Sequence, residues 1–316
     1  MSYAQDPRQA DLTQEVPARA RQPPIPAITV ISSRGNGCIK AIRSLRERKE
    51  RERTGSYFIE GLRLVSEAVQ TQAAIETLVV VPERLKSGFG QEIVQIQRQR
   101  GTPCLAVTAE VFASLSDKEG RHEISAVVRQ RWDSLDTIRP DEGLCWIALG
   151  AAQYPGNLGT ILRVSDAVGG AGVLLIGHTA DPYDPTAVRA STGAVLSQRL
   201  ARTSVEAFAC WKDQRKVTVI GASPAAALDY RDVAYPAPLA LLMGSEGRGL
   251  SPQEQALCDH MVRIPMVGRS DSLNLAIATS LLLYEVFHQR RGPPHPRLRL
   301  SPPWFARFAR REGEPL

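Results

Sequence analysis

Four short apolar runs punctuate the second half of the chain, over residues 145–149, 173–176, 217–220 and 239–243. Stretches with helical spacing lie between them. An uninterrupted apolar run is a strand covered on both faces, and the intervening helices are the crossovers that parallel neighbours require. This half is therefore predicted to be a parallel α/β sheet with helices on both sides. A last helix is expected over 273–289, with Leu273, Ile277, Leu281, Tyr284 and His288 at helical spacing and Gly292-Pro293-Pro294 to end it.

The first half is shorter in its rhythm. Ile39, Ile42 and Leu45 recur every three residues among charges, predicting one helix over 36–53 that Thr54-Gly55-Ser56 breaks. A strand at 57–59, a helix over 61–72, strands at 78–81, 104–107 and 124–128, and helices near 90–100 and 109–115 complete a small α/β domain. The chain's 316 residues suit two domains, at roughly 100–200 residues each. The expected division is a disordered tail over 1–27, a first domain over 28–133, a linker over 134–142, a second domain over 143–291 and a Pro/Arg-rich tail over 292–316. Trp304, Phe305 and Phe308 in that tail are candidates to dock on the body.

The formal net charge of +6 is unevenly spread. From Arg34 to Arg53 eight basic residues stand against three acidic ones, and from Arg290 to Leu316 seven arginines against two glutamates. Two basic regions on a mildly acidic body are how phosphate-backbone contacts are commonly supplied, although a solvated helix face gives the same count. No apolar run approaches the ~20 residues of a bilayer span, and Met1 to Pro26 lack an export signal's apolar stretch, so a cytoplasmic protein without a membrane partner is expected. The five cysteines are scattered without a CxxC pair, so neither a disulfide framework nor a metal site is indicated. Neither a P-loop nor a dinucleotide fingerprint occurs at the strand-to-helix junctions, which disfavours nucleotidases and dehydrogenases.

Three segments carry the chemistry. The first is Tyr154-Pro-Gly-Asn-Leu-Gly-Thr-Ile-Leu-Arg163, where Asn157 is placed to cap a helix, Gly159 permits close approach and Arg163 is available to a phosphate or to Asp166. The second is Leu241-Leu-Met-Gly-Ser-Glu-Gly-Arg-Gly249, with three glycines in six residues at the carboxyl end of a buried strand, where open α/β sheets bind ligands. The third is Ile264-Pro-Met-Val-Gly-Arg-Ser-Asp-Ser-Leu-Asn274, where a strand ends and Ser272 and Asn274 open the last helix.

Each segment alone has an ordinary structural reading. Taken in order, NLGTILR, GSEGRGL and IPMxGxxxSLN resemble the SpoU/TrmH family of RNA ribose 2′-O-methyltransferases, within the SPOUT superfamily. Ala190-Ser-Thr-Gly-Ala194 also fits. So do Asn36, Ile39-Lys40, Arg48-Lys49, Arg51, Gly55, Phe58 and Glu60-Gly-Leu-Arg-Leu-Val65, which are similar to the family's substrate-binding domain. The resemblance covers about residues 30–290.

It implies a trefoil-knotted α/β methyltransferase domain with a mostly parallel sheet, preceded by a small ribosomal-protein-like α/β domain that binds RNA. It also implies a homodimer whose active sites draw on both subunits. The cofactor implied is S-adenosyl-L-methionine, held by Gly244, Glu246, Gly247, Gly249, Ile264, Met266, Ser272 and Leu273. Arg163 matches the family's catalytic arginine, with Asn157 and Asn274 positioning it and the ribose and Glu246 ordering the second loop. A guanidinium with a pKa above ~12 is a poor base, so its expected role is to hold the target phosphate and polarise the 2′-hydroxyl. Lys40, Arg43, Arg46, Arg48, Lys49 and Arg51 are the expected contacts to the RNA backbone.

The accessory domain favours ribosomal over transfer RNA as the partner. Two departures from the family pattern leave the subfamily open: Tyr154 stands where an aspartate before the proline is common, and Leu-Ala-Ile-Ala follows Asn274. The alternatives are a non-catalytic RNA-binding or ribosome-assembly factor, a transfer-RNA 2′-O-methyltransferase, or a base methyltransferase on the same fold.

Overall fold

The computed structural model describes residues 30–116 and 122–290, so the expectations for the tails 1–27 and 292–316 lie outside the described residues. The first unit runs α1 (Gly37–Ser44), α2 (Arg48–Thr54), β1 (Ser56–Glu60), α3 (Leu62–Gln70), β2 (Ile75–Val80), α4 (Gly88–Gln99), β3 (Cys104–Ala106), α5 (Ala109–Ala113) and β4 (Ile124–Arg129). Its strands lie in the order β1-β4-β2-β3, with only β2 and β3 parallel. Strand periodicity splits the core. Leu78 and Val80 pack with Tyr57, Val65 and Ile93 on one face, while Val79 and Val81 pack with Ile39, Ile42 and Phe112 on the other.

The helix predicted over 36–53 is two helices. Leu45 ends α1 and Glu47 is extended, with φ −81° and ψ 129°. The buried Arg51 explains the corner: its Nη1 donates to the carbonyls of Leu45 at 2.9 Å and Arg46 at 2.6 Å. These are carbonyls that the end of α1 leaves without intrahelical partners.

The second unit runs β5 (Trp146–Gly150), α6 (Pro155–Val168), β6 (Gly172–Ile176), α7 (Pro185–Ser191), α8 (Ala194–Ser197), β7 (Arg199–Thr203), α9 (Val205–Arg215), β8 (Thr218–Ala222), β9 (Leu228–Asp229), β10 (Leu239–Met243), α10 (Pro252–Ala256), β11 (His260–Arg263) and α11 (Leu275–Arg290). The seven strands are parallel, in the order β7-β6-β5-β10-β8-β11-β9. All five residues of β5, β6 and β10 are buried, as their apolar runs predict. Three strands lack such a run: β7 and β9, which are the two edges, where one side of the strand has no neighbour to cover it, and β11, which lies next to the edge strand β9.

β5 and β10 are neighbours whose onward connections leave in opposite directions, β5 to β6 and β10 to β11. That is the switch point at which open α/β sheets form a crevice beyond their carboxyl ends. α6 packs on α7 and α11 beside it. Gly159 makes the first of these contacts possible, since a Cβ there would stand 2.3 Å from the Ala187 carbonyl oxygen.

The two units are clasped. Arg51, 1% exposed, donates to Asp181 at 2.8 Å and Asp184 at 3.4 Å in the loop after β6. Tyr183 from the same loop packs its ring 4.5 Å from Tyr57 and 5.4 Å from Trp132. Its hydroxyl donates to the Arg131 carbonyl and accepts from the Arg131 amide. The segment 134–142 is no free tether either, because Ile138 is buried in the core beneath Trp146.

Candidate active site

A cavity of about 1020 Å³ opens at the β5/β10 switch point. Its walls come from the start of α6, the turn after β8, the loop after β10, and the segment between β11 and α11. Gly244, Glu246, Gly247, Gly249, Ile264, Met266, Ser272 and Leu273 all line it, as do Asn157 and Asn274. Asn157 and Asn274, 117 positions apart in the chain, thus share one space.

The loop after β10 doubles back on itself. Ser245 and Gly249 exchange backbone hydrogen bonds of 3.0 Å in both directions. Gly247 and Gly249 hold φ of +86° and +67°, and a Cβ on Gly244 would lie 2.1 Å from the Gly249 carbonyl carbon. The three glycines are therefore a steric requirement of this turn.

A directed chain of side-chain hydrogen bonds crosses the cavity floor. Asn274 Oδ1 accepts from the amides of Ala276 and Ile277, capping α11, which leaves its Nδ2 as the donor to Asn157 Oδ1 at 3.0 Å. Asn157 Nδ2 is then the donor to Glu246 Oε1, also at 3.0 Å. Glu246 Oε2 accepts from the Gln153 amide at 2.8 Å. A cap at one end and an acceptor-only carboxylate at the other fix the direction of both amides. Burial pushes the Glu246 carboxyl up, but the bonds from Asn157 and the Gln153 backbone outweigh it and hold the group below its ordinary range.

Three expectations are corrected here. Asn157 does not cap α6; Tyr154 precedes that helix, and Asn157 lies in its first turn with its side chain on Glu246. Neither asparagine holds Arg163. That arginine is exposed on α6, lies outside the cavity lining, and makes no hydrogen bond or ion pair among the described residues, Asp166 instead accepting from Ser197 at 2.7 Å. Arg51 leaves the RNA-contact set, because its guanidinium is buried and spent on Asp181, Asp184 and two carbonyls.

The other basic residues divide. Arg43 donates to Ser114 Oγ at 2.7 Å, Arg46 donates to the Ser114 carbonyl at 3.5 Å, and Arg48 donates to the Thr179 carbonyl at 3.0 Å and Glu52 at 2.9 Å. Lys40 and Lys49 are exposed, without an ion pair among the described residues. Sequence reasoning missed the turn Ala222-Ser223-Pro224, which lines the cavity. The rule that selected the loop after β10 applies equally to this one, since it follows the carboxyl end of β8.

A family model described as the SpoU rRNA Methylase family matches residues 145–284. Another, the MRM3-like substrate binding domain, matches residues 36–133. The 23S rRNA (uridine(2479)-2′-O)-methyltransferase of Streptomyces viridochromogenes is 34% identical over 280 residues, covering 86% of this chain and 96% of that protein. The chain belongs to the SpoU rRNA methylase family.

The 23S rRNA (guanosine(2553)-2′-O)-methyltransferase RlmP of Bacillus subtilis (strain 168) is a more distant member, 27% identical over 81% of this chain and 98% of its own length. Among solved structures of the family, the AdoMet-bound rRNA methyltransferase from Sinorhizobium meliloti superposes with a TM-score of 0.78 and 35% identity, over 84% of this chain and 99% of that one. The SpoU methyltransferase AviRb from Streptomyces viridochromogenes, in complex with AdoMet, gives 0.74 and 32%, over 81% of this chain and 98% of that one.

Proposed function

We propose that this SpoU-family chain transfers a methyl group from S-adenosyl-L-methionine to a ribose 2′-hydroxyl of ribosomal RNA. The observation that carries the reading is the cavity itself, which joins the glycine loop, the apolar segment before α11 and the Asn274–Asn157–Glu246 chain at the sheet's switch point. An adenosyl ligand fits this lining. Close-packed backbone over 244–249 offers hydrogen-bonding groups to a base edge and ribose, and Ile264, Met266 and Leu273 offer an apolar face. The bound cofactor would supply a sulfonium methyl to an in-line nucleophile, a displacement that needs no metal.

The chain's own residues do the rest. Glu246, fixed by Asn157 and the Gln153 amide, holds the loop after β10 in its folded-back form. Arg163 holds the target phosphate and polarises the 2′-hydroxyl, whose proton leaves to phosphate or water. Lys40 and Lys49 are the accessible backbone contacts on the first unit, assisted by the partly exposed Arg43, Arg46 and Arg48. The domain division carries over with the function: RNA binding over 28–133, a packed connection over 134–142 and catalysis over 143–291.

A homodimer belongs to the same reading. On α11, Ile277, Leu281 and Tyr284 are 51%, 37% and 53% exposed, and Leu273 just before it is 37% exposed. A stripe of large apolar side chains on one helix suits burial against a second copy. Arg163 stands clear of its own cavity, as a residue serving the partner's site would. The family's trefoil knot is carried over by kinship, and a cytoplasmic location follows from the substrate.

The test is transfer of labelled methyl from S-adenosyl-L-methionine to protein-stripped ribosomal RNA, followed by digestion to nucleosides. A 2′-O-methylated nucleoside is expected. A base-methylated nucleoside, or RNA binding without transfer, would overturn the reading.

A further inference from the structure

The cavity is larger than one cofactor needs. At about 1020 Å³ it reaches the upper limit of single-ligand sites, which run from about 300 to 1,000 Å³. The loop after β10 and the segment before α11 form the walls assigned above to the adenosyl group. The start of α6 forms a separate wall, and at its lip stands Tyr154, 62% exposed.

An exposed phenol ring at a cavity mouth asks for a reason. Among the described residues the other strongly exposed aromatic is Tyr284, whose ring meets Phe287 edge-on at 6.1 Å. The Tyr154 ring makes no such contact, and its hydroxyl has no hydrogen-bond partner among the described residues. Its backbone, by contrast, is held on both sides. The Tyr154 carbonyl accepts from the amides of Asn157 and Leu158 at 3.1 and 3.2 Å, and the preceding Gln153 amide is tied to Glu246. A ring with no packing partner on a fixed backbone is an apolar face left open to a ligand at the cavity lip.

The approach to that surface passes a cation, Arg48, whose guanidinium also pairs with Glu52. Arg48 of α2 donates to the Thr179 carbonyl, and the neighbouring His178 is exposed with its carbonyl accepting from Gln153 Nε2 at 3.3 Å. Hydrogen bonds therefore lead from Arg48 through Thr179 and the adjoining His178 to Gln153, the residue before Tyr154. A polynucleotide backbone following this seam would deliver its bases to the cavity lip.

We propose that Tyr154 is the platform on which a base of the acceptor RNA stacks once it is unstacked from its neighbours, so that the ribose enters the cavity over Asn157 and Thr160. This rests on the reading of the cavity as an RNA methyl-transfer site. Sequence-specific RNA recognition favours splayed bases, and an aromatic face replaces the stacking they lose. A face serves every base, so the platform supports entry of the nucleotide and leaves sequence choice to other contacts.

The experiment compares the full chain with Tyr154→Ala, Tyr154→Phe and Tyr154→Trp, using labelled S-adenosyl-L-methionine and protein-stripped ribosomal RNA. Cofactor affinity and thermal unfolding are measured alongside. The alanine variant is expected to raise the KM for RNA roughly 5- to 100-fold, the loss of one base–aromatic stack, while cofactor affinity stays unchanged. The phenylalanine and tryptophan variants are expected to match the parent, since both keep the ring. An alanine variant with the parent's KM overturns the platform, and so does a phenylalanine variant as defective as alanine, which would assign the role to the hydroxyl. A parent chain that transfers no methyl to any ribosomal RNA overturns the methyltransferase reading, and the platform with it.

Discussion

The loops around the cavity and the basic segment over 34–53 relate composition to position in opposite ways. At the cavity, every residue expected to hold the cofactor lines one space. In the basic segment the residues that look alike in sequence part company: Lys40 and Lys49 face solvent, Arg43, Arg46 and Arg48 are half-buried with carbonyl or carboxylate partners, and Arg51 is sealed inside. The glycine loop is legible because a backbone turn dictates its residue types. A cation carries no such signature, since the same guanidinium serves a phosphate outside or an aspartate inside.

Arg51 gives the sharpest test of that contrast. Arg51→Met leaves Asp181, itself 4% exposed, without its cation. Breaking a buried pair by removing one partner costs about 3–5 kcal/mol, whereas removing both charges is often close to neutral. Denaturant unfolding of Arg51→Met is expected to show that loss, and Arg51→Met with Asp181→Leu is expected to recover part of it. Asp181 also accepts from the Tyr183 amide at 2.9 Å, so recovery stops short of the parent. An Arg51→Met variant that keeps full stability but loses RNA affinity would return Arg51 to the RNA surface.

Arg163 is the next largest effect. Arg163→Ala is expected to lower turnover about 10²- to 10³-fold, the cost of removing one preorganised donor from a transition state, with unchanged cofactor affinity because its assigned contacts are to the acceptor nucleotide and not to the cofactor. Cofactor titration and single-turnover rates separate the two. Parent-like turnover would remove Arg163 from the mechanism. Mixing Arg163→Ala with a variant disabled in the cavity sharpens the same point, since partial recovery of activity requires that sites draw on two chains.

How much was legible follows the same division. The apolar runs at 145–149, 173–176 and 239–243 identify the central strands because burial on both faces excludes polar residues there. The edge strand β7 reads Arg-Leu-Ala-Arg-Thr, with only Leu200 and Ala201 buried, and carries no such run. The corner between α1 and α2 was hidden for another reason. Its cause, Arg51, lies within the charged stretch, but the partners that bury it are about 130 residues away. The site's residue types were visible locally; the hydrogen-bond order Asn274–Asn157–Glu246 needed the fold that joins their three loops.

That chain makes a prediction with a pH signature. Asn157→Ala removes a hydrogen bond to a carboxylate, worth about 1.5–3 kcal/mol, and is expected to weaken cofactor binding by up to that amount. Asn157→Asp sets a second carboxylate against Glu246, and the two disfavour each other's ionisation. Because hydrogen bonds depress the Glu246 pKa in the parent, its ordering role is complete above the ordinary carboxylate range and is lost only as pH falls through its lowered pKa, below that range. Parent affinity is therefore expected to stay flat from neutral pH into mild acid. Asn157→Asp is expected to bind worst at neutral pH and to improve on acidification, as one carboxylate gains a proton. Parallel pH profiles for the two proteins would mean that Glu246 does not organise the loop.

The smallest effect bears most directly on the basic segment. Each phosphate contact releases counterions, so neutralising one lysine lowers the slope of log affinity against log salt by about 0.7 to 0.9. Lys40→Gln and Lys49→Gln should each approach that value, because their charges are exposed and without an ion pair among the described residues. Arg48→Gln should fall short of it, since its guanidinium already donates to Glu52 and Thr179. Arg51→Met, measured where it remains folded, should leave the slope untouched. A graded series in that order would mean that solvent access, not the count of basic residues, sets the RNA contact. Equal slopes for all four would mean that the segment acts only through its summed charge, and the burial of Arg51 would then have no bearing on binding.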